Sequence, residues 1–312
     1  MSTSLAPLAH TVRSRALSWL HTHRELSVPD AGDLAPDLDA VKTLAEMALA
    51  AGLALTEGTA GSRERRLARE LLDFCWLRLG QGALLYERLL HHPMTTDAVE
   101  CYAPFAQAGY RHAGLEDLTS HLAVAGIAHI VEYVPCRRLA VANALRITGH
   151  DSGTRVPDWE RLVQATWLAA TPQPWHIDWE TAYALTHTVF HITDWGRRPE
   201  ALPRPLTAYL TRWLPVWTDI WTETRHWDLV AELLAVGACL PEPHIDLDDW
   251  QRMERTQHPD GLFPVDGRPL EEDPATRFRD HYHSTTVSAI AATIALSRDL
   301  TLPSAAVPDP SA

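Results

Sequence analysis

Residues 250–297 read WQRMERTQHPDGLFPVDGRPLEEDPATRFRDHYHSTTVSAIAATIALS and predict a helix, a tight turn, a loop and a second helix. Pro259 cannot continue the first helix, because it lacks an N–H group and its ring clashes with the preceding turn. Asp260 and Gly261 supply the turn, since glycine tolerates a positive φ, and Phe263 is an apolar anchor that folds back. This stretch therefore predicts a helical hairpin.

The second helix of this hairpin is expected to begin at Ser284 and Thr285, which are N-cap residue types. A helix rich in small residues packs closely against neighbours on several sides. Three polar groups that could hold a proton or a metal, Asp280, His281 and His283, would then lie where this helix begins. Its apolar positions are spaced three and four apart along one face, at Val287, Ile290, Ala291, Ile294 and Ala295.

The whole chain shows about twelve helical patterns and no alternating strand, which predicts an all-α fold. The patterns begin near residues 8, 36, 62, 95, 115, 135, 157, 178, 203, 226, 248 and 284. Residues 62–90 are either one helix or two that are broken at 80–82. Six antiparallel hairpins can close into an (α/α)6 toroid, an inner ring of helices wrapped by an outer one. We expect one toroid domain over residues 8–300, with frayed tails at 1–7 and 301–312.

Small residues and leading acids or histidines mark the segments expected to form the inner ring, 115–131, 178–193, 226–240 and 284–297. Arg, Glu and Trp at solvated spacings assign 62–78, 203–222 and 248–258 to the outer ring. Inner helices of such a ring run the same way, so their positive N-terminal ends gather at one mouth of a central cavity. The side chains expected at that mouth are Glu116, Asp117, His176, Asp178, Glu180, His226, Asp228, His281 and His283.

Two segments within residues 250–297 resemble a known superfamily. Residues 257–263 look like the Gln-x-x-x-Gly-x-Trp turn that recurs in terpene-cyclase-like α/α toroids, with Phe263 in the place of the tryptophan. Residues 279–285 are similar to the segment that supplies the zinc histidine in protein prenyltransferase β subunits. The resemblance implies the toroid fold.

The same resemblance implies a metal site. By position, Asp228 and His283 correspond to the zinc-binding aspartate and histidine of the prenyltransferases. The family's cysteine, two residues beyond the aspartate, is replaced by Val230, which cannot bind metal. His281 or His226 would have to complete the site, and a mixed His/Asp set suits a divalent ion, zinc above all.

A second group of candidates lies on the segment that starts at Asp178. Glu180 or Asp178 is the expected general acid or base, with a pKa tuned by burial, and Tyr183 and His187 are counted with them as catalytic. His187 and His191 share a helix face, because they are four residues apart. Such a pair either holds a metal or forms a hydrogen-bonded part of the cavity wall.

Composition narrows the function classes. The formal net charge is −13 and no basic stripe is present, which argues against binding nucleic acid or an anionic membrane by electrostatics. No apolar run is long enough to cross a bilayer, and no basic segment precedes an N-terminal apolar run, so we expect a cytoplasmic protein. The four cysteines are far apart and are expected to be buried thiols.

The leading functional hypothesis is a biosynthetic enzyme that binds an apolar or amphipathic small molecule in the toroid cavity. Acid/base or metal-assisted chemistry there would perform cyclisation, isomerisation or elimination, as cyclases, isomerases and lyases do. One alternative is a carbohydrate-active hydrolase or lyase with paired carboxylates and a groove floored by tryptophan. Another is a non-catalytic toroid whose mouth binds a peptide or carrier protein. A homodimer remains open in each case.

Overall fold

The computed structural model describes residues 4–28, 38–126, 132–151 and 158–301. Within these ranges it has thirteen α-helices and no strand, so the predicted all-α class is confirmed. No helix in the described ranges has both the length and the apolar character that crossing a bilayer requires. The helices are α1 (Leu5–His23), α2 (Leu38–Thr56), α3 (Ser62–Arg78), α4 (Ala83–His91), α5 (Asp97–Gln107), α6 (Ala113–Ala125), α7 (Pro135–Thr148), α8 (Trp159–Gln164), α9 (Trp179–Thr193), α10 (Arg204–Glu223), α11 (Trp227–Cys239), α12 (Leu247–Thr256) and α13 (Pro274–Thr301).

The start of the first helix and the break within residues 62–90 differ from or decide between the predictions. Helix α1 already begins at Leu5, so the predicted N-terminal tail was too long. Residues 1–3 and 302–312 lie outside the described ranges. Residues 62–90 form two helices, because Gln81 and Gly82 adopt positive φ values of 55° and 96° between α3 and α4.

The turn after α12 is held against α1, as the predicted hairpin requires. The Gln257 side-chain amide donates to the carbonyl oxygens of Val12 and Gly261, at 3.0 Å each. Gly261 has a φ of +105°, and a Cβ atom there would lie 2.2 Å from the carbonyl oxygen of Arg15. Only glycine therefore fits between this turn and α1.

The prediction that a helix begins at Ser284 is wrong. Helix α13 begins at Pro274, where the Asp273 carboxylate accepts from the backbone N–H of Thr276 at 2.8 Å. The Ser284 hydroxyl instead donates to the carbonyl oxygen of Phe263 at 2.6 Å, from the middle of α13. Ser284 therefore holds the loop residue Phe263 and does not cap a helix. Asp280, His281 and His283 consequently lie within α13 and not at its beginning.

Six helices contact one another in a cycle. In order they are α2, α5, α7, α9, α11 and α13, and α13 packs against α2. Tyr183 and Thr186 on α9 bond in turn to Asp228 and Glu232 on α11, which shows that these two helices run the same way. Helices α1, α3, α4, α8 and α10 each pack against at least one member of the cycle.

Three of the four segments predicted to be inner belong to this cycle, namely those that contain α9, α11 and α13. The assignment of 115–131 to the inner ring is wrong, because α6 packs against α4, and residues 127–131 lie outside the described ranges. Glu116 on α6 instead accepts a hydrogen bond from Tyr102 at 2.6 Å, and exposed Asp117 follows it. The cycle also contains α2, α5 and α7, which the sequence analysis did not assign to it.

Candidate functional site

The six helices of the cycle surround a cavity of about 910 Å³. Its apolar wall is built mainly from small and branched side chains, together with Phe190 and Trp195. Seven carboxylates and three basic side chains of Lys or Arg also line it. These are Asp39, Glu46, Asp97, Glu100, Glu132, Asp228 and Glu232, and Lys42, Arg88 and Arg137. A cavity of this size and mixed character suits a small molecule.

Three side chains on the cavity wall converge on one point. Asp228 and Glu232 are one helical turn apart on α11 and both are buried, while His283 reaches them from α13. The His283 Nε2 atom is 3.9 Å from Asp228 Oδ2 and 3.9 Å from Glu232 Oε1. These separations are too long for hydrogen bonds. They are longer than the roughly 3.3–3.5 Å between two ligands of a tetrahedral zinc ion. One ligand atom from each residue lies within 4.8 Å of the others, so the side chains would have to draw in slightly to hold an ion.

A hydrogen bond from a neighbouring helix fixes each member of this triad. The Glu46 Oε2 atom on α2 lies 2.9 Å from His283 Nδ1. Since a carboxylate only accepts, Nδ1 carries the hydrogen and Nε2 faces the two acids. The Tyr183 hydroxyl donates to Asp228 Oδ2 at 2.5 Å.

The second acid of the triad is held in the same way. The Thr186 hydroxyl donates to Glu232 Oε2, which leaves Glu232 Oε1 facing the cavity. Asp228 Oδ1 is buried and has no hydrogen-bond partner among the described residues. Buried carboxylate oxygens are normally paired, so this atom points to a missing cation or proton donor.

Charge in the triad depends on the balance between burial and the neighbouring carboxylates. Burial disfavours the charged imidazolium, but Glu46, Asp228 and Glu232 outweigh it and raise the pKa of His283 to about 10. Burial raises the pKa of Asp228, and Glu232 adds to this effect, against the pull of His283 and the Tyr183 hydroxyl. At neutral pH the protonated His283 is therefore the cation that these acids attract, and a metal ion at this point would have to displace its proton.

Four of the predicted site residues line the cavity. Asp228 and His283, the two predicted metal ligands, lie together as expected. Tyr183 touches Asp228, and its pKa is raised by burial and by that carboxylate, so the phenol keeps its proton. The His187 Nε2 atom lies 3.7 Å from Glu232 Oε1.

Three predicted site residues do not line the cavity. Asp178 is the N-cap of α9 and accepts from the backbone N–H and hydroxyl of Thr181, which lowers the pKa of Asp178. Glu180 is exposed in the first turn of α9. His281 points away from His283, and its Nδ1 atom accepts from the backbone N–H of Val265 at 3.2 Å. Asp228 is in the first turn of its helix as well, but it is buried in the wall, whereas Glu180 lies on the exposed side of α9 and Asp178 caps that helix. The side of the helix that a first-turn acid occupies is decided by packing, which is the physical reason that the two acids were misassigned.

Two residues of the site were missed by the sequence analysis. Glu232 could have been found, because it and Asp228, four residues before it, are the two acids in the otherwise apolar segment 227–239 and share a helix face. Glu46 gave no such signal, since Lys42 precedes it by four residues in a pattern typical of a solvated helix face. His226 contacts the rings of Tyr183 and Trp221 instead of lining the cavity.

The fold and the cavity define an all-helical protein in which buried Asp228 and Glu232 meet half-buried His283 in the wall of a large cavity with both apolar and charged lining. The chain belongs to the family described as DUF6895, a domain of unknown function, whose model matches residues 13–293. No curated protein and no solved structure matches the chain.

Proposed function

We propose that the protein is an enzyme that binds a divalent metal, zinc being the best fit, through Asp228, Glu232 and His283, and acts on a small molecule in the cavity. The chemistry that fits is acid/base or metal-assisted cyclisation, isomerisation or elimination. Mixed oxygen and imidazole ligands suit zinc and related divalent ions. The proposal keeps Asp228 and His283 from the sequence analysis and replaces His281 with Glu232.

The observation that carries the proposal is the support around the triad. Glu232 and His283 each have one polar atom held by a neighbouring helix and another turned toward the shared point. In Asp228 the Oδ2 atom that accepts from Tyr183 is also the atom that faces His283 Nε2. Metal sites in proteins are built in this way, with outer hydrogen bonds that fix the tautomer and orientation of each ligand. An ion there would also partner Asp228 Oδ1, which is otherwise unpaired among the described residues.

The proposed roles follow from position. A bound ion would polarise a substrate oxygen or activate a water molecule. His187, whose side chain is 46% exposed and faces Glu232, is the proposed proton acceptor or donor. Tyr183 is a positioning residue that orients Asp228. The apolar wall would hold the body of the substrate and exclude water.

The proposed architecture is an (α/α)6 toroid. The cycle of six helices would be its inner ring, and α1, α3, α4, α8, α10 and α12 would be the outer ring. This arrangement agrees with the resemblance to terpene-cyclase-like toroids at residues 257–263 and 279–285. It would also explain why side chains from α2, α9, α11 and α13 meet at the triad.

Metal content tests the proposal. Protein loaded with Zn²⁺ and dialysed should retain one ion per chain by mass spectrometry of the digested sample. His283→Ala and Glu232→Gln should lose it, whereas the control His281→Asn should keep it. No ion in the wild type, or the same ion content in all four proteins, would refute the metal site. Retention of folding by each variant is checked by far-UV circular dichroism.

The carbohydrate hypothesis finds no favouring observation in the described residues. It predicts a groove floored by tryptophan, and the cavity wall contains Trp195 alone among the described tryptophans. Trp175 and Trp179 are exposed and lie outside the cavity lining.

A further inference from the structure

The charged side chains of the cavity lie toward one end of it. Along α2, Asp39 and Glu46 precede the apolar Leu49, and along α13, His283 precedes Ile290. The pair Glu46–His283 and the later pair Glu57–Ser297 show that these helices run the same way. The N-terminal half of the cavity is therefore charged, and its C-terminal half is apolar.

The neighbouring helices follow the same order. Along α11, Asp228 and Glu232 precede Ala235, and along α7, Arg137 precedes Ala144 and Ile147. The charged half is also the open half, because Met94 and Tyr133 line it and are 63% and 87% exposed. We call it the mouth half, and the other the deep half.

The deep half contains an ionisable group that is uncharged at neutral pH. Burial lowers the pKa of His191 to about 3, and the charges of His187 and Arg137 add to this effect. Phe190 and Trp195 stack at 4.6 Å between ring centroids beside it. A ligand segment in the deep half would meet apolar and neutral surface.

The mouth half has an excess of negative charge. With His283 counted as protonated, seven carboxylates against three Lys or Arg side chains leave an excess of three negative charges. Because the pKa of Glu100 is about 7, its partial protonation lowers this excess further at neutral pH, but the sign stays negative. A divalent ion that replaced the His283 proton would also leave an excess of negative charge. Asp97 has a buried Oδ1 atom without a hydrogen-bond partner among the described residues, and its other oxygen accepts from Arg88. An anionic ligand would be repelled from this half and a cationic one attracted.

We infer that the cavity binds an amphiphile with a cationic head, such as a primary ammonium group, in the mouth half and an apolar chain in the deep half. This inference rests on the proposed function, for which it names the substrate class. The head is expected to be cationic because the mouth half carries an excess of carboxylates. The head is expected to lie in the mouth half and the chain in the deep half because charged side chains precede apolar ones along the helices. The alanines of the wall leave the space for the chain, so their size limits its length.

Isothermal titration at pH 7 with n-octylammonium, octanoate and 1-octanol tests the inference. EDTA-treated protein is used, so the result does not depend on the metal. Octylammonium should bind at least tenfold more tightly than octanoate. Affinity should rise roughly fourfold per methylene from butylammonium to octylammonium, as burial of apolar surface requires. Octanol should bind less tightly than octylammonium, because it lacks the charge.

Variants locate the two ends of the ligand. Asp97→Asn should reduce the preference for octylammonium over octanoate, whereas Asp117→Asn, which removes an exposed acid on α6 outside the cavity, should leave it unchanged. Ala144→Leu should weaken octylammonium binding and spare butylammonium.

Several results would overturn the inference. They are equal or tighter binding of octanoate, no binding of octylammonium, and affinity that does not change with chain length. These results are independent of metal content. A protein that binds the ion but prefers octanoate would keep the proposed metal site and lose the inferred substrate class. A protein that prefers octylammonium without binding any ion would do the reverse.

Discussion

Replacing Glu100 with glutamine should stabilise the protein above neutral pH, even though Glu100 is in an ion pair. Glu100 lies on α5 and its side chain is 21% exposed. Its carboxylate accepts from Arg137 at 2.7 Å and from the Thr96 hydroxyl at 3.0 Å. Burial nevertheless outweighs Arg137, and with the nearby charges of Asp97 and Glu132 it raises the pKa of Glu100 to about 7, from an ordinary value of 4.5.

The sign of the effect follows from proton linkage. Between pH 4.5 and 7 the folded protein holds the Glu100 proton more tightly than the unfolded chain, so the free energy of unfolding falls as the pH rises through this window. Above pH 7 the whole cost of a charged, buried Glu100 is present. The difference between the two pKa values corresponds to ~3 kcal/mol, at about 1.4 kcal/mol for each pH unit. Glutamine avoids this cost and keeps an oxygen that accepts from Thr96 and Arg137.

Urea unfolding of the wild type and Glu100→Gln at pH 5 and pH 8 measures this effect. The two proteins should have similar stabilities at pH 5, and Glu100→Gln should be more stable by up to ~3 kcal/mol at pH 8. The control Glu223→Gln removes an exposed acid at the end of α10 and should not change the pH dependence. A Glu100→Gln variant that is less stable than the wild type at pH 8 would show that attraction to Arg137 exceeds the cost of burial.

Two further predictions concern the contacts that hold α1. Arg13→Ala should destabilise the protein by ~3–5 kcal/mol, because it leaves the buried Glu64 carboxylate, now 2.9 Å from the guanidinium, without its charged partner. Urea unfolding checks this, and the double variant Arg13→Leu/Glu64→Leu should recover most of the loss. Gly261→Ala should prevent α1 from docking and lower the melting temperature strongly, because its Cβ atom would overlap the carbonyl oxygen of Arg15.

Control substitutions test the proposed reasons for the effects of Gly261→Ala and Arg13→Ala. Gly109→Ala also places alanine at a positive φ, of +93°, but its Cβ atom would meet no atom within 4 Å. It measures backbone strain alone, about 1–3 kcal/mol. If Gly261→Ala costs no more than Gly109→Ala, overlap with α1 does not determine the choice of glycine. If the double variant at Arg13 and Glu64 is no more stable than Arg13→Ala, an unpaired carboxylate is not the source of the loss.

The sequence alone was sufficient for the fold class and for most helices. Helical periodicity, with Pro and Gly between segments, predicted helix starts at 62, 135, 178, 203 and 226 that lie within one residue of α3, α7, α9, α10 and α11. These signals are local, because they depend on residues within a few turns of each other. The exception was α13, where Ser284 bonds to a loop residue that lies 21 positions away.

The inner helices could not all be recognised from sequence. The assignment relied on small residues and leading acids, which favoured α6 and missed α2, α5 and α7. An amphipathic helix shows which face is apolar but not which helix that face will meet. Glu46 illustrates the limit, since the pattern it forms with Lys42 is that of a solvated surface.

Some residues of the candidate site could be predicted from the sequence and others could not. The resemblance to prenyltransferases implied Asp228 and His283, and the helical segment that starts at Asp178 contributed Tyr183 and His187. All four line the cavity. Glu232 gave a signal in the sequence and was overlooked. Tertiary structure alone decided that Glu46 joins the site and that Asp178, Glu180 and His281 do not. Helix periodicity constrains side chains on one helix, whereas the distance between α11, α13 and α2 is set by packing among residues remote in the sequence. That packing brings His283 Nε2 to 3.9 Å from both acids.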